Sequence, residues 1–190
     1  MENLKELPMK FNTYKEFKDC ISDNTMEQAI EFVDRGDWIL RIAKEIGLDM
    51  ALRTLAKGKC SETVLPHMKD QRSKDAVKAA IDFGNGLISH KELIIFCNAA
   101  FDAIYETTDV KDIYVAYSAA EAAHAYEHDN NDFSGIDSAA DAANFYDYNN
   151  FDLKNARKEN QLKTAKICRN ILGHAIIERV DLLLTYKPTN

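Results

Sequence analysis

The chain has 190 residues, 46% of them hydrophobic, and a formal net charge of −7. That length and apolar fraction supply one domain with its own core and exclude a disordered chain. The negative charge disfavours direct binding to nucleic-acid phosphates, and no apolar run approaches the ~20 residues of a membrane helix.

With three prolines, seven glycines and many Ala, Lys, Glu and Leu residues, the composition predicts an all-α fold, a multi-helix bundle of antiparallel helices forming one domain over 1–190. Short helices are expected over 12–66. Thr13 with Glu16 fits a capping box that opens a helix to about Ile21. Asp23, Asn24 or Thr25 caps the next, which ends at Gly36. Asp37 opens DWILRIAKEIG, closed by Gly47, and LDMALRTLAKG closes at Gly58. Trp38, Ile39, Ile42 and Ile46 recur at helical spacing and form one apolar stripe. The VLP stretch at 64–66 is a connector.

Alanine-rich helices are expected over 70–150. One runs from Asp70 or Ser73 to Phe83 and stops at Gly84-Asn85-Gly86. Ser89 with Glu92 caps a helix to about Glu106, and Asp109 caps one to about His128. The segment 130–135 reads as a loop, and Asp137 to Tyr148 as a further helix. A long C-terminal helix fills 151–186, with Gly173 inside it.

Part of this helical region is written twice. SAAEAAHAYEHDN at 118–130 returns as SAADAANFYDYNN at 138–150, identical at seven of thirteen positions. Ala119, Ala120 and Ala123 share a helix face, as do Ala139, Ala140 and Ala143. An internal repeat of about 20 residues makes two short helices with small faces, which allow backbones to approach closely.

The same region is electrically one-sided. From Asp112 to Leu153 there is no Lys or Arg, yet nine carboxylates occur. Taking those nine from the chain's 31 acids leaves 22 against 24 basic residues, so this stretch carries the whole imbalance. Solvated helices usually interleave Glu with Lys. Tyr114, Tyr117, Tyr126, Tyr146 and Tyr148 alternate with the carboxylates. Tyrosine favours interface hot spots, and a concentrated negative field speeds encounter with a basic partner. The expected partner face is therefore Glu121, Tyr126, Glu127, Asp129, Asp132, Asp137, Asp141, Tyr146, Asp147 and Tyr148.

Catalytic patterns are weak. The chain has no HExxH, GxSxG or Walker-type loop. Glu121-x-x-His124-x-x-x-His128 places three ligand types on about one helix face, and Glu-x-x-His is the local unit of di-iron bundles. The repeat copy offers only Asp141 and Asn144, so the set is incomplete and no metal or other cofactor is expected. Cys20, Cys60, Cys97 and Cys168 show no CxxC spacing, and this suits a reduced cytosolic setting. The opening MENLKELPMK lacks the apolar stretch of a secretory signal, so the expected location is cytoplasmic.

DWILRIAKEIG, the Arg72-x-x-x-Ala76 helix closing at Gly84, and the doublets SAAEAA and SAADAA together resemble the immunity proteins of bacterial toxin and bacteriocin systems. The resemblance spans roughly Glu27 to Val180. Related members carry a proline where this chain has Ser73. The resemblance implies a helical, non-enzymatic, cytoplasmic protein that binds and neutralises a toxin. The expected partner is thus a basic protein such as a toxin, nuclease or defence effector. Two alternatives stay open: a phage anti-defence protein whose acidic face imitates DNA, and a metal-dependent helical-bundle enzyme using Glu121, His124 and His128.

Overall fold

The computed structural model describes residues 13–22, 26–125 and 153–185. These residues form eight α-helices and one 3₁₀ turn, with no strand among them. In chain order the helices are α1 (Tyr14–Ser22), α2 (Met26–Phe32), α3 (Gly36–Glu45), α4 (Met50–Ser61), α5 (Gln71–Gly84), α6 (His90–Glu106), α7 (Val110–Ala123) and α8 (Leu153–Thr185). The 3₁₀ turn, Glu62–His67, carries the VLP connector. The fold is all-α, as the composition predicts. No helix among the described residues is long and apolar enough to cross a membrane.

Short polar side chains start the helices by accepting from the first unpaired backbone N–H groups. Asp49 accepts from the N–H of Leu52, Asp70 from Arg72 and Asp109 from Lys111. Thr13 Oγ1 accepts from the Glu16 N–H at 3.2 Å. Ser89 and Glu92 form a reciprocal capping box, and the Ser89 N–H holds the Glu92 carboxyl below its ordinary range. Two glycines with left-handed backbone close helices. Gly47 (φ 72°) ends α3, and Gly86 (φ 71°) follows α5. At each, the residue after the glycine bonds back to the helix, from Leu48 to Ala43 and from Leu87 to Asp82.

Three sequence expectations are corrected. Gly58 does not end α4, which continues to Ser61. A Cβ on Gly58 would lie 3.1 Å from the Ala80 Cβ, so this glycine lets α4 approach α5. Helix α2 ends at Phe32, before Gly36. Gly36 instead opens α3, where a Cβ would lie 2.7 Å from the backbone of Thr164 on α8. Helix α7 stops at Ala123 rather than His128.

One core gathers α1 to α4 against α8. It buries Phe17, Ile30, Ile39, Leu40, Leu172 and Ile176, with Trp38 and Ile46 packed at its edge. The Trp38 ring stacks on Phe17 at 6.1 Å. Helix α8 also closes its neighbours' ends. Arg169 donates to the carbonyls of Ile30 and Val33, and Arg179 donates to that of Ile46. Arg169 is thus a cap for α2. Gly173 leaves α8 unbroken.

A second core joins α5, α6 and α7 through eight alanines, Leu93 and Cys97. The alanine face of the first repeat copy, Ala120 and Ala123, is buried here against Ala76, Ala80 and Ala100. Ala119 packs beside Val64, Val77 and Val115. The second copy, with Ala139, Ala140 and Ala143, lies outside the described residues. Ser61 on α4 donates to the Ser118 carbonyl at 2.9 Å, which ties the two cores together.

Candidate functional site

Helix α7 carries the described part of the acidic stretch. Its C-terminal half is enclosed on every side: Ser118, Ala119, Ala120, Glu121, Ala122 and Ala123 are all buried. Only small side chains fit such a position, and Glu121 is the exception. Its residue is 5% exposed, and its carboxylate lies 3.6 Å from His124 Nδ1. Glu121 therefore does not belong to an exposed partner face. The composition that groups it with the acidic stretch carries no sign of how deeply α7 is inserted. The other nine residues of that face, Tyr126, Glu127, Asp129, Asp132, Asp137, Asp141, Tyr146, Asp147 and Tyr148, lie outside the described residues.

Two groups from other helices explain why α7 ends early. Lys57 of α4 is 1% exposed, and its ammonium donates to the His124 carbonyl at 2.5 Å. His90 Nε2 meets the Ala125 carbonyl at 2.7 Å. A cation at a helix C-terminus satisfies carbonyls that the helix leaves unpaired and opposes the dipole's negative end. The His124 ring rests edge-on against Phe101, which meets Tyr117 in the same way. Cys97 lies in the same region, donating to the Ala120 carbonyl at 3.7 Å. Burial pushes its thiol up to about 12, with Lys57 opposing and Glu121 adding to the rise. Among the described residues no group of three or more His, Cys, Asp or Glu side chains is placed to hold a metal. His128 lies outside them.

A charged cleft of about 370 Å³ opens where the α5 N-terminus meets the end of α6 and the start of α7. Arg72 forks between two carboxylates. Its Nε and Nη2 donate to Asp70 at 3.0 and 2.7 Å, and Nη1 and Nη2 donate to Glu106 at 3.2 and 2.6 Å. These bonds hold the Asp70 and Glu106 carboxyls below their ordinary range. Across the cleft Lys69 donates to Asp112 at 2.8 Å, so the first carboxylate of the acidic stretch has a cation from outside it. Ser73 is buried at the third position of α5, and Asp70 supplies the cap. The cleft thus brings paired charges of both signs beside the apolar side chains of Met68, Ala103, Val115 and Ala116.

Neither a family model, nor a curated protein, nor a solved structure matches this chain.

Sequence reasoning missed Lys57 and the Arg72 fork. Lys57 sits directly before Gly58, where the sequence reading closes the helix. Its neighbour Gly58 is the only local hint, because a glycine inside a helix implies a close partner. Apolar groups also stand exposed near the cleft. Tyr105 is 84% exposed beside Glu106, and Val110 begins α7.

Proposed function

We propose that the chain is a non-enzymatic binding protein of the immunity or inhibitor class, which neutralises a basic toxin or effector by occluding it. One observation carries this reading: nine carboxylates and no Lys or Arg between Asp112 and Leu153. Asp112 and Glu121 are turned toward the protein itself. The remaining seven, Glu127, Asp129, Asp132, Asp137, Asp141, Asp147 and Asp152, have no cation within the stretch to neutralise them. Their field would draw a cationic protein, and Tyr126, Tyr146 and Tyr148 would supply contact area. The exposed Tyr105 and the α5–α7 cleft are further surface on which such a partner could rest. The order of elements shared with immunity proteins supports the same role in the cytoplasm. A row of carboxylates also imitates DNA phosphates, so a phage anti-defence protein acting on a nucleic-acid-binding effector is the second reading. Gene neighbourhood separates the two.

The test begins with affinity capture from the native host and identification of the bound protein. Binding is then measured over a range of ionic strength for wild type and for a variant with Glu127, Asp129 and Asp132 changed to Lys. Slower association in the variant, and weakening of wild type by salt, are expected. Salt-independent binding that survives the charge reversals would place the interface elsewhere.

A further inference from the structure

Two thiols in the first core have no part in the surface so far described. Cys60 lies in the last turn of α4 and Cys168 in the middle of α8, 108 residues further along. Both are wholly buried, and their sulfur atoms are 3.6 Å apart. A disulfide bond is about 2.05 Å long, so the atoms must close by roughly 1.5 Å. Rotation about the two Cα–Cβ bonds moves sulfur atoms over such distances. Cys60 Sγ also faces the Thr164 carbonyl at 3.7 Å, within the same α8 turn that receives Gly36. Three elements are therefore packed tightly around the pair.

We infer that Cys60 and Cys168 form an oxidative modification site, a disulfide that ties α4 to α8 when the chain meets a low-molecular-weight disulfide of the glutathione class. In the first step one protein thiolate attacks the external disulfide. That bond breaks, a mixed disulfide forms, and one small thiolate leaves and takes up a proton. In the second step the other cysteine gives up its proton and attacks the protein-side sulfur, expelling the second small thiol. Two protein thiols are oxidised and one external disulfide is reduced to two thiols.

Burial controls when this happens. Burial first, and then the adjoining Cys168, holds the Cys60 thiol well above its ordinary value, so the thiolate that must attack is scarce in the closed core. The folded dithiol is accordingly slow to react. Exchange proceeds while α4 and α8 are apart, during folding or transient opening. Once closed, the bond is equally shielded from reductants. The oxidation state of the pair then records the conditions under which the chain folded.

The test compares native wild-type chain with chain refolded from denaturant, both exposed to oxidised glutathione. Readouts are intact mass, peptide mapping without reductant, and thermal melting with and without dithiothreitol. Refolded protein is expected to lose about 2 Da and to yield a Cys60–Cys168 linked peptide. Its melting temperature should rise by about 10 °C, a gain that dithiothreitol abolishes only after unfolding. Native protein should react at least ten-fold more slowly. The Cys20→Ser/Cys97→Ser double variant should behave like wild type, and Cys168→Ala should lose the linked peptide. Links to Cys20 or Cys97 instead, unresolved glutathione adducts, or a linked form that melts no higher than the dithiol would overturn the inference.

Discussion

The core that gathers α1 to α4 against α8 is built mainly from Ile, Leu, Phe and Val, whereas the buried residues of that between α5, α6 and α7 are mostly Ala. The first gains stability from apolar area, because each large side chain removes much surface from water. The second gains it from close backbone approach, because methyl groups bury little area each but leave little empty space. A large-side-chain core is therefore sensitive to deletion, and a small-side-chain core to insertion.

Two substitutions probe that contrast. The largest effect is expected for Leu172→Ala, which empties a fully buried site between α8 and its neighbours. Chemical denaturation should show a loss of about 2–5 kcal/mol. A loss under 1 kcal/mol would mean that the first core collapses around the void and is no more size-dependent than the second. Next comes Ala123→Leu, which forces extra methylenes into the alanine seam, at a cost of about 1–3 kcal/mol. Unchanged stability there would show that α7 can shift outward.

The smallest effect lies outside both cores, at the Arg72 fork. Asp70 and Glu106 titrate lower in the folded chain than unfolded, so their contribution is complete above the usual carboxylate range, near pH 4. It is lost as pH falls through their depressed folded values. Arg72→Gln should remove that part of the acid dependence and leave stability at neutral pH and high salt close to wild type. Identical acid unfolding curves for the two proteins would show that this surface fork contributes nothing measurable.

Local signals in the sequence were legible, and those that depend on a distant partner were not. Ser89 with Glu92, Asp70, Asp109 and the turn at Gly86 announce themselves because each bond spans a few residues. The stripe of Ile39 and Ile42 was equally plain, although Leu40 beside it is buried too. Gly58 was misread because one residue type serves both helix stops and close helix contacts. Only the position of α5 decides between them. The end of α7 was placed too late because Lys57 and His90 come from other helices. Glu121 was assigned to the acidic face by composition, whereas its burial follows from the insertion of α7 among its neighbours.

The glycines at the helix crossings have a consequence for ancestry. A Cβ at Gly36 would meet the backbone of Thr164, one at Gly58 the side chains of Ala80 and Ile81, and one at Gly84 the Cα of Leu55 at 2.8 Å. Surface residues can drift without touching these crossings. Descendants of the same ancestor should therefore be recognised by glycines at these three spacings long after the rest of the sequence has diverged.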